Sequence, residues 1–426
     1  MISGQGVALA AQALYFVLIG RALGSREYGA FVGVAALVAA LGQFSSLGME
    51  MILVRNLSRD RASFEHTWGH ALLISGSGFV LLLGAAMLFA HFALQPELSS
   101  LVPWIAFADI FLGRLVQLSA RAFQGADQMA WMARLTASSA VARALMAAAV
   151  WWFTQHFAIH AGALLWARVY WLATLMVAIP ALVLVTLRLG WPRFAPMRRT
   201  DLSEGLSFSL AGSSVSIYND IDKTFLVSYG QTQAAGIYSA AYRVVDAASA
   251  PIFAVYAAAA PRFFREGARG VSSARRFART TLMRTVPYAV GVGALLALAA
   301  PVMPALFGPS FRESAVVLRW LCLLPLLRAL HYAWGSAITG SASQWNRTAT
   351  QFGAAALNLC LNFALIPRWS WRGAAAASLL TDGALAGASL AVLSRLARRE
   401  SPAVQAELDL TAASALSTPS SLSRNA

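Results

Sequence analysis

Residues 69–92 read GHALLISGSGFVLLLGAAMLFAHF, an apolar run without Asp, Glu, Lys or Arg. A helix rises about 1.5 Å per residue, so a run of this length crosses the roughly 30 Å hydrocarbon core of a bilayer. Working outward, about twelve such runs fill the chain: 4–20, 29–51, 69–92, 99–119, 131–153, 162–187, 206–228, 234–259, 284–306, 314–338, 347–366 and 373–395. The first lacks the charged lead-in of a cleaved signal peptide and counts as a span. The 426 residues are 58% hydrophobic and only 12% charged, with a mean hydropathy of +0.61. No soluble core of this size hides that much apolar surface. The fold class expected is all-α and integral to the membrane.

The net charge of +15 would suggest nucleic acid in a soluble protein. Here the basic residues, all arginine except Lys223, collect in the breaks between runs and read as a topology signal, with no nucleic-acid partner. Even-numbered connections carry Arg55, Arg59 and Arg61, then Arg121, then Arg188, Arg193, Arg198 and Arg199, and finally the longest connection, 261–284, with Arg262, Arg265, Arg269, Arg275, Arg276 and Arg279. The connections at 95–99, 154–160 and 228–236 carry no Lys or Arg. Both termini are expected in the cytoplasm. Cys322 and Cys360 are too few for a disulfide framework or a cysteine metal site.

A Pro/Arg-rich connection at 188–204 separates six runs from six. Gly29 and Phe31 open the second run and Arg55 follows; Gly236 and Tyr238 open the eighth and Arg262 follows at the same separation. Gln124-Gly125 and Thr339-Gly340 close the fourth and tenth, and Gly162 and Gly373 open the sixth and twelfth. This order implies a pseudo-repeat about an axis along the membrane normal, with a central cleft between six-helix lobes. The expected organisation is a lobe at 1–187, a cytoplasmic linker at 188–204, a second lobe at 205–396 and a disordered cytoplasmic tail at 397–426, rich in Ser and Ala.

Four segments carry a family resemblance: Gly20–Phe31, with Arg21, Leu23, Gly24, Tyr28 and Gly29; Leu47-Gly48-Met49-Glu50 followed by Arg55; Asn219-Asp220-Ile221-Asp222-Lys223 leading to Gly236-Ile237-Tyr238; and Asn358, Asn362, Ile366-Pro367, Trp371 and Gly373-Ala374-Ala375. Together they resemble the polysaccharide-exporter and O-antigen flippase branch of the multidrug/oligosaccharidyl-lipid/polysaccharide (MOP) exporter superfamily over nearly the whole chain. The cluster Arg368, Trp369, Trp371 and Arg372 departs from the family pattern. The resemblance implies a two-lobed flippase of the bacterial inner membrane, working by alternating access on polyprenyl-diphosphate-linked oligosaccharide. A polysaccharide polymerase and a chain-length regulator are the protein partners it implies, besides the membrane lipids.

An ionisable side chain at the centre of a membrane helix costs roughly 2.5–3.5 kcal/mol, so several of them require a wet cavity or internal partners. Arg143, Arg168, Arg243 and Arg328 present planar forks suited to diphosphate oxygens and are the candidate substrate contacts. Asp109, Asp220, Asp222, Asp246 and Asp382, with Lys223, are candidates for ion coupling or for internal ion pairs; Arg243 with Asp246, and Asp220 with Lys223, are i,i+3 neighbours that would neutralise each other. Glu50 and Arg55 read as gate or interface residues. No cofactor is expected beyond a proton or sodium gradient. His66 with His70, and His156 with His160, have helical spacing but no third ligand, so no metal is expected.

No nucleotide loop, metal cluster or Ser/His/Asp arrangement supports catalysis, so the expectation is a transporter and not an enzyme. A cation-coupled drug exporter of the same superfamily would share the architecture but favour an acidic, aromatic cleft. A scaffold or enzyme of polysaccharide assembly is the third reading.

Overall fold

The computed structural model describes residues 2–157, 161–194, 206, 209, 218–341 and 343–416. Among them every regular element is helical. The principal helices are α1 (Ile2–Gly42), α2 (Met49–Arg59), α3 (Phe64–Ala93), α4 (Gly113–Gly125), α5 (Met129–Phe157), α6 (Ala163–Leu189), α7 (Thr232–Ala268), α8 (Val271–Ala299), α9 (Ser314–Leu321), α10 (Leu324–Gly340), α11 (Gln344–Trp369) and α12 (Trp371–Leu416). A further helical stretch covers 218–228.

Ten helical segments of the described residues are long and apolar enough to cross a membrane. The count differs from the sequence reading for two reasons. The segment Gly6–Gly42 absorbs the first expected span and much of the second, two helices meeting at Gly24, whose φ of 74° is left-handed. The seventh expected span, 206–228, lies largely outside the described residues, as do most of the expected linker, the end of the tail and His160.

One further expectation is corrected. The connection at 261–284 is not a loop: α7 runs to Ala268 and α8 begins at Val271, with Gly270 at φ 121° making the break. Arginine and alanine are strong helix formers, so the helices continue past the point where charge ends the apolar window. Glu400 of α12 accepts from the backbone N–H groups of Val271 (2.7 Å) and Ser272 (3.0 Å), satisfying free donors at the start of α8. Helix α12 runs on to Leu416, within the stretch 397–426 that composition reads as a tail.

The chain divides into two compact units. The first comprises 1–247, 294–322 and 355–381, the second 248–293, 323–354 and 382–426. One core of the first unit gathers Phe64, Trp68, Phe123 and Leu53 from α2, α3 and α4. An aromatic group joins α1 to α6: Phe31 meets Tyr170 edge-on at 5.3 Å, and Tyr15 stacks on Trp166 at 5.8 Å. In the second unit Tyr256, Phe263, Ala278, Ala333 and Leu393 form the core.

Glycines of the repeat make a close helix crossing in the first unit. A Cβ on Gly29 would overlap the Thr232 carbonyl, and a Cβ on Gly236 would overlap the Ser25 carbonyl. Each glycine thus meets the carbonyl four residues before the other, so the relationship is reciprocal. Ahead of α2 the chain unwinds, with Leu47 at φ 41° and Gly48 at φ 68°. Gly48 takes this conformation without the Cβ penalty, which is the local reason for the Leu47-Gly48-Met49-Glu50 segment.

Candidate functional site

A cavity of about 800 Å³ lies in the first unit. Its charged lining comprises Arg114, Arg121, Arg143, Arg243, Asp109 and Asp220, with the aromatic rings of Tyr15, Phe16, Phe31 and Tyr170 among small and apolar side chains. Helices α1, α4, α5, α6 and α7 contribute, together with the stretch 218–228.

Asp109 sits in a π-helical turn, Phe107–Leu112, that precedes α4. Such a turn inserts an extra residue and re-aims a side chain; it is enriched at functional sites. Asp109 accepts a hydrogen bond from Tyr170 Oη at 2.7 Å and pairs with Arg143 at 3.2 Å. The Arg143 guanidinium lies 4.4 Å from the Tyr170 ring centroid, adding a cation–π contact.

Across the lining, Arg243 stands 3.9 Å from Asp220 and 3.6 Å from Asp246, and covers the Phe16 ring at 4.7 Å. Asp220 also pairs with Lys223 at 3.0 Å. Behind it lies a buried cluster. Lys223 and Asp222 are each 1% exposed and 3.2 Å apart. Lys223 Nζ donates to the Asn219 carbonyl, and Asp222 accepts from Tyr238 Oη at 2.5 Å and Ser378 Oγ at 3.4 Å. Asn362 donates to Asn358, which donates to Thr381, so the two asparagines of the last motif form a buried polar chain.

At another part of the lining Arg114 bonds Glu50 at 2.7 Å and the Gly42 carbonyl at 2.6 Å. That carbonyl, at the end of α1, also accepts from the Ser45 backbone N–H at 3.2 Å and from the Ser45 hydroxyl at 2.9 Å. Arg121 donates to Gln124 at 2.6 Å. The Nε–H groups of Arg114, Arg143 and Arg243 are buried with no hydrogen-bond partner among the described residues. Counting lining side chains alone, arginines outnumber carboxylates four to two. Glu50 and Asp246 stand behind that wall as further partners, so each of Arg114, Arg143 and Arg243 is held by a carboxylate while keeping donors to spare.

Of the candidates read from sequence, Arg143, Arg243, Asp109 and Asp220 line the cavity; Asp222, Lys223 and Asp246 flank it. Glu50 reaches it through Arg114, while Arg55 bonds its neighbour Asn56 at 3.1 Å. Arg168 does not line it: its side chain is exposed and lies over Trp104 at 5.4 Å. Arg328 and Asp382 belong to the second unit, where Asp382 is 3.5 Å from the buried His331. Arg114 and Arg121 are not among the candidates read from sequence, where Arg121 counts as part of a basic connection; Tyr15 and Tyr170 carry no signal beyond being polar tips in apolar runs. Among the described residues no group of three or more His, Cys, Asp or Glu is placed to hold a metal ion.

A family profile described as "Polysaccharide biosynthesis protein" matches residues 1–266. The chain belongs to the polysaccharide biosynthesis protein family. No curated protein sequence matches this family member significantly. Solved structures do. An inward-facing multidrug resistance MATE family transporter of the MOP superfamily is 16% identical, with a TM-score of 0.73 over 91% of this chain and 95% of the other. The lipid II flippase MurJ, inward closed, is 10% identical with a TM-score of 0.67 over 92% and 88%. A MOP superfamily transporter from Pyrococcus furiosus, reported with a binding pocket of reversed polarity, is 15% identical with a TM-score of 0.58 over 93% of each chain. The polysaccharide biosynthesis family member therefore has the multi-pass helical fold of MOP transporters, in agreement with the resemblance read from its motifs.

Proposed function

We propose that the protein is a flippase of the bacterial inner membrane, moving a polyprenyl-diphosphate-linked oligosaccharide, or a related glycolipid, from the cytoplasmic to the periplasmic leaflet for cell-surface polysaccharide biosynthesis. The observation that carries the reading is the cavity lined by Arg114, Arg121, Arg143 and Arg243. A diphosphate offers several anionic oxygens, and guanidinium forks bind such oxygens in pairs at any physiological pH. Tyr15, Phe16, Phe31 and Tyr170 supply apolar faces against which sugar rings can lie, while the lipid tail stays in the bilayer.

In this mechanism Asp109, Asp220 and Asp246 hold the arginines until substrate arrives, and the diphosphate takes over their donors. The carboxylates so released are where a proton or a sodium ion enters, coupling the gradient to transport. Arg168, Arg328 and Asp382 have no part in this handover. Lys223 and Asp222 fix the wall behind Asp220, and Glu50 orients Arg114. Rocking of two six-helix lobes, 1–187 and 205–396, gives alternating access. A polymerase and a chain-length regulator act on the delivered substrate. Drug extrusion of cationic compounds shares the fold, but four arginines on the wall oppose a cation.

The test is the leaflet location of lipid-linked oligosaccharide in a deletion strain, read by sidedness-specific glycan labelling. Accumulation on the cytoplasmic side, relieved by the wild-type gene and not by Arg243→Ala, is the expected result. An unchanged distribution on deletion would overturn the reading and direct attention to drug-efflux assays.

A further inference from the structure

The second unit contains a slot of about 810 Å³ between α8, α10 and the later part of α12. Arg275, Arg279, Leu282 and Val286 all line it, at positions i, i+4, i+7 and i+11 of α8, which is one helix face. That face changes character along its length. Arginines 275, 276 and 279 occupy one end, and Leu282, Val286, Trp334 and Leu390 wall the other. Arg275 and Val286 are separated by about 16 Å of helix rise.

Two observations point to a ligand. None of Arg275, Arg276 and Arg279 pairs with a carboxylate among the described residues, whereas Glu266 takes up the neighbouring Arg262 (3.9 Å) and Arg269 (3.5 Å). Beside the apolar end, Met283 and Val290 are 68% and 51% exposed on a helix long enough to cross the membrane. The slot is thus apolar at one end, beside exposed apolar side chains, and carries three arginines without carboxylate partners at the other, the composition of a basic pocket at the headgroup level.

We propose that this slot holds an anionic glycerophospholipid of the surrounding bilayer, its phosphate on Arg275, Arg276 and Arg279 and an acyl chain along Leu282, Val286 and Leu390. The site is separate from the arginine cavity and does not depend on the transport reading. Each arginine near a membrane surface contributes about fivefold to affinity for an anionic lipid, so three contribute roughly 100-fold.

The experiment is native mass spectrometry of the purified full-length protein with palmitoyl-oleoyl phosphatidylglycerol, and with palmitoyl-oleoyl phosphatidylcholine as the zwitterionic match. One saturable phosphatidylglycerol adduct is expected, with phosphatidylcholine retained far less. R275Q/R276Q/R279Q should weaken it roughly 100-fold, and Val286→Trp, which leaves every charge in place and fills the apolar end, should abolish it. R262Q/R265Q/R269Q, equal in charge change but outside the slot, should leave it unaltered, as should R243Q. The proposal is overturned if Val286→Trp binds like wild type, if the outside triple weakens binding as much as the inside one, or if farnesyl diphosphate displaces phosphatidylglycerol from the slot. Val286→Trp decides the matter should the triple variant fail to fold.

Discussion

Replacing Lys223 with Met removes the positive member of the most deeply buried ion pair in the first unit while keeping most of its volume. At 3.2 Å from Asp222 and an effective dielectric of 20, the gross attraction is 332/(20 × 3.2), about 5 kcal/mol. What is lost on mutation is set by the carboxylate left behind. Asp222 keeps the Tyr238 and Ser378 hydroxyls and the backbone N–H of residue 223, so the cost should sit near the lower end of the range for a broken buried pair, about 3 kcal/mol. Neutralising the carboxylate as well, in D222N/K223M, removes the stranded charge, and Asp220 retains Arg243. The double variant should therefore recover to within about 1–2 kcal/mol of wild type. A reversible SDS-unfolding titration followed by tryptophan fluorescence measures all the corners of this cycle, D222N included. Additive losses, or a Lys223→Met variant as stable as wild type, would refute the claim that the pair exists to neutralise Asp222.

Three other outcomes can be checked together. Gly236→Ala places a methyl group on the Ser25 carbonyl, where no flexible side chain can give way, and should cost about 1–3 kcal/mol or more; size-exclusion profiles of the solubilised protein will show the folded fraction fall. Asp109→Asn removes the anion competing for Arg143, so a soluble prenyl diphosphate probe should bind about tenfold more tightly at low salt, an increase that isothermal titration detects and that its absence denies. Glu400→Ala strips the cap from the first backbone donors of α8, and hydrogen exchange at 271–272 should accelerate by the equivalent of about 1 kcal/mol, with the interior of α8 unchanged.

Membrane residence was legible because apolar length is a one-dimensional property, visible in runs such as 69–92 without knowledge of packing. Helix ends were less legible. Charge terminates the apolar window at Arg262, but the backbone hydrogen bonds continue to Ala268, since nothing in an arginine opposes helix. The i,i+3 pairs of Arg243 with Asp246 and of Lys223 with Asp220 followed from spacing alone. Partners on other helices did not: Asp109 meets Arg143 and Tyr170 through a π-helical turn, and an inserted residue in a helix leaves no periodic mark in a Phe- and Leu-rich stretch. Arg168 illustrates the same gap from the other side, because mid-span position says nothing about which face of α6 points inward.

The reciprocal glycine crossing constrains how the molecule can move. With Gly29 seated on the Thr232 carbonyl and Gly236 on the Ser25 carbonyl, a slip of one residue along either helix would drive Tyr28, Ala30, Ala235 or Ile237 into a space that admits no Cβ. Translation is blocked, while rotation about the contact leaves both glycines seated. The crossing therefore fixes the register of α1 against α7 at one point, while leaving their crossing angle free of any Cβ at the contact.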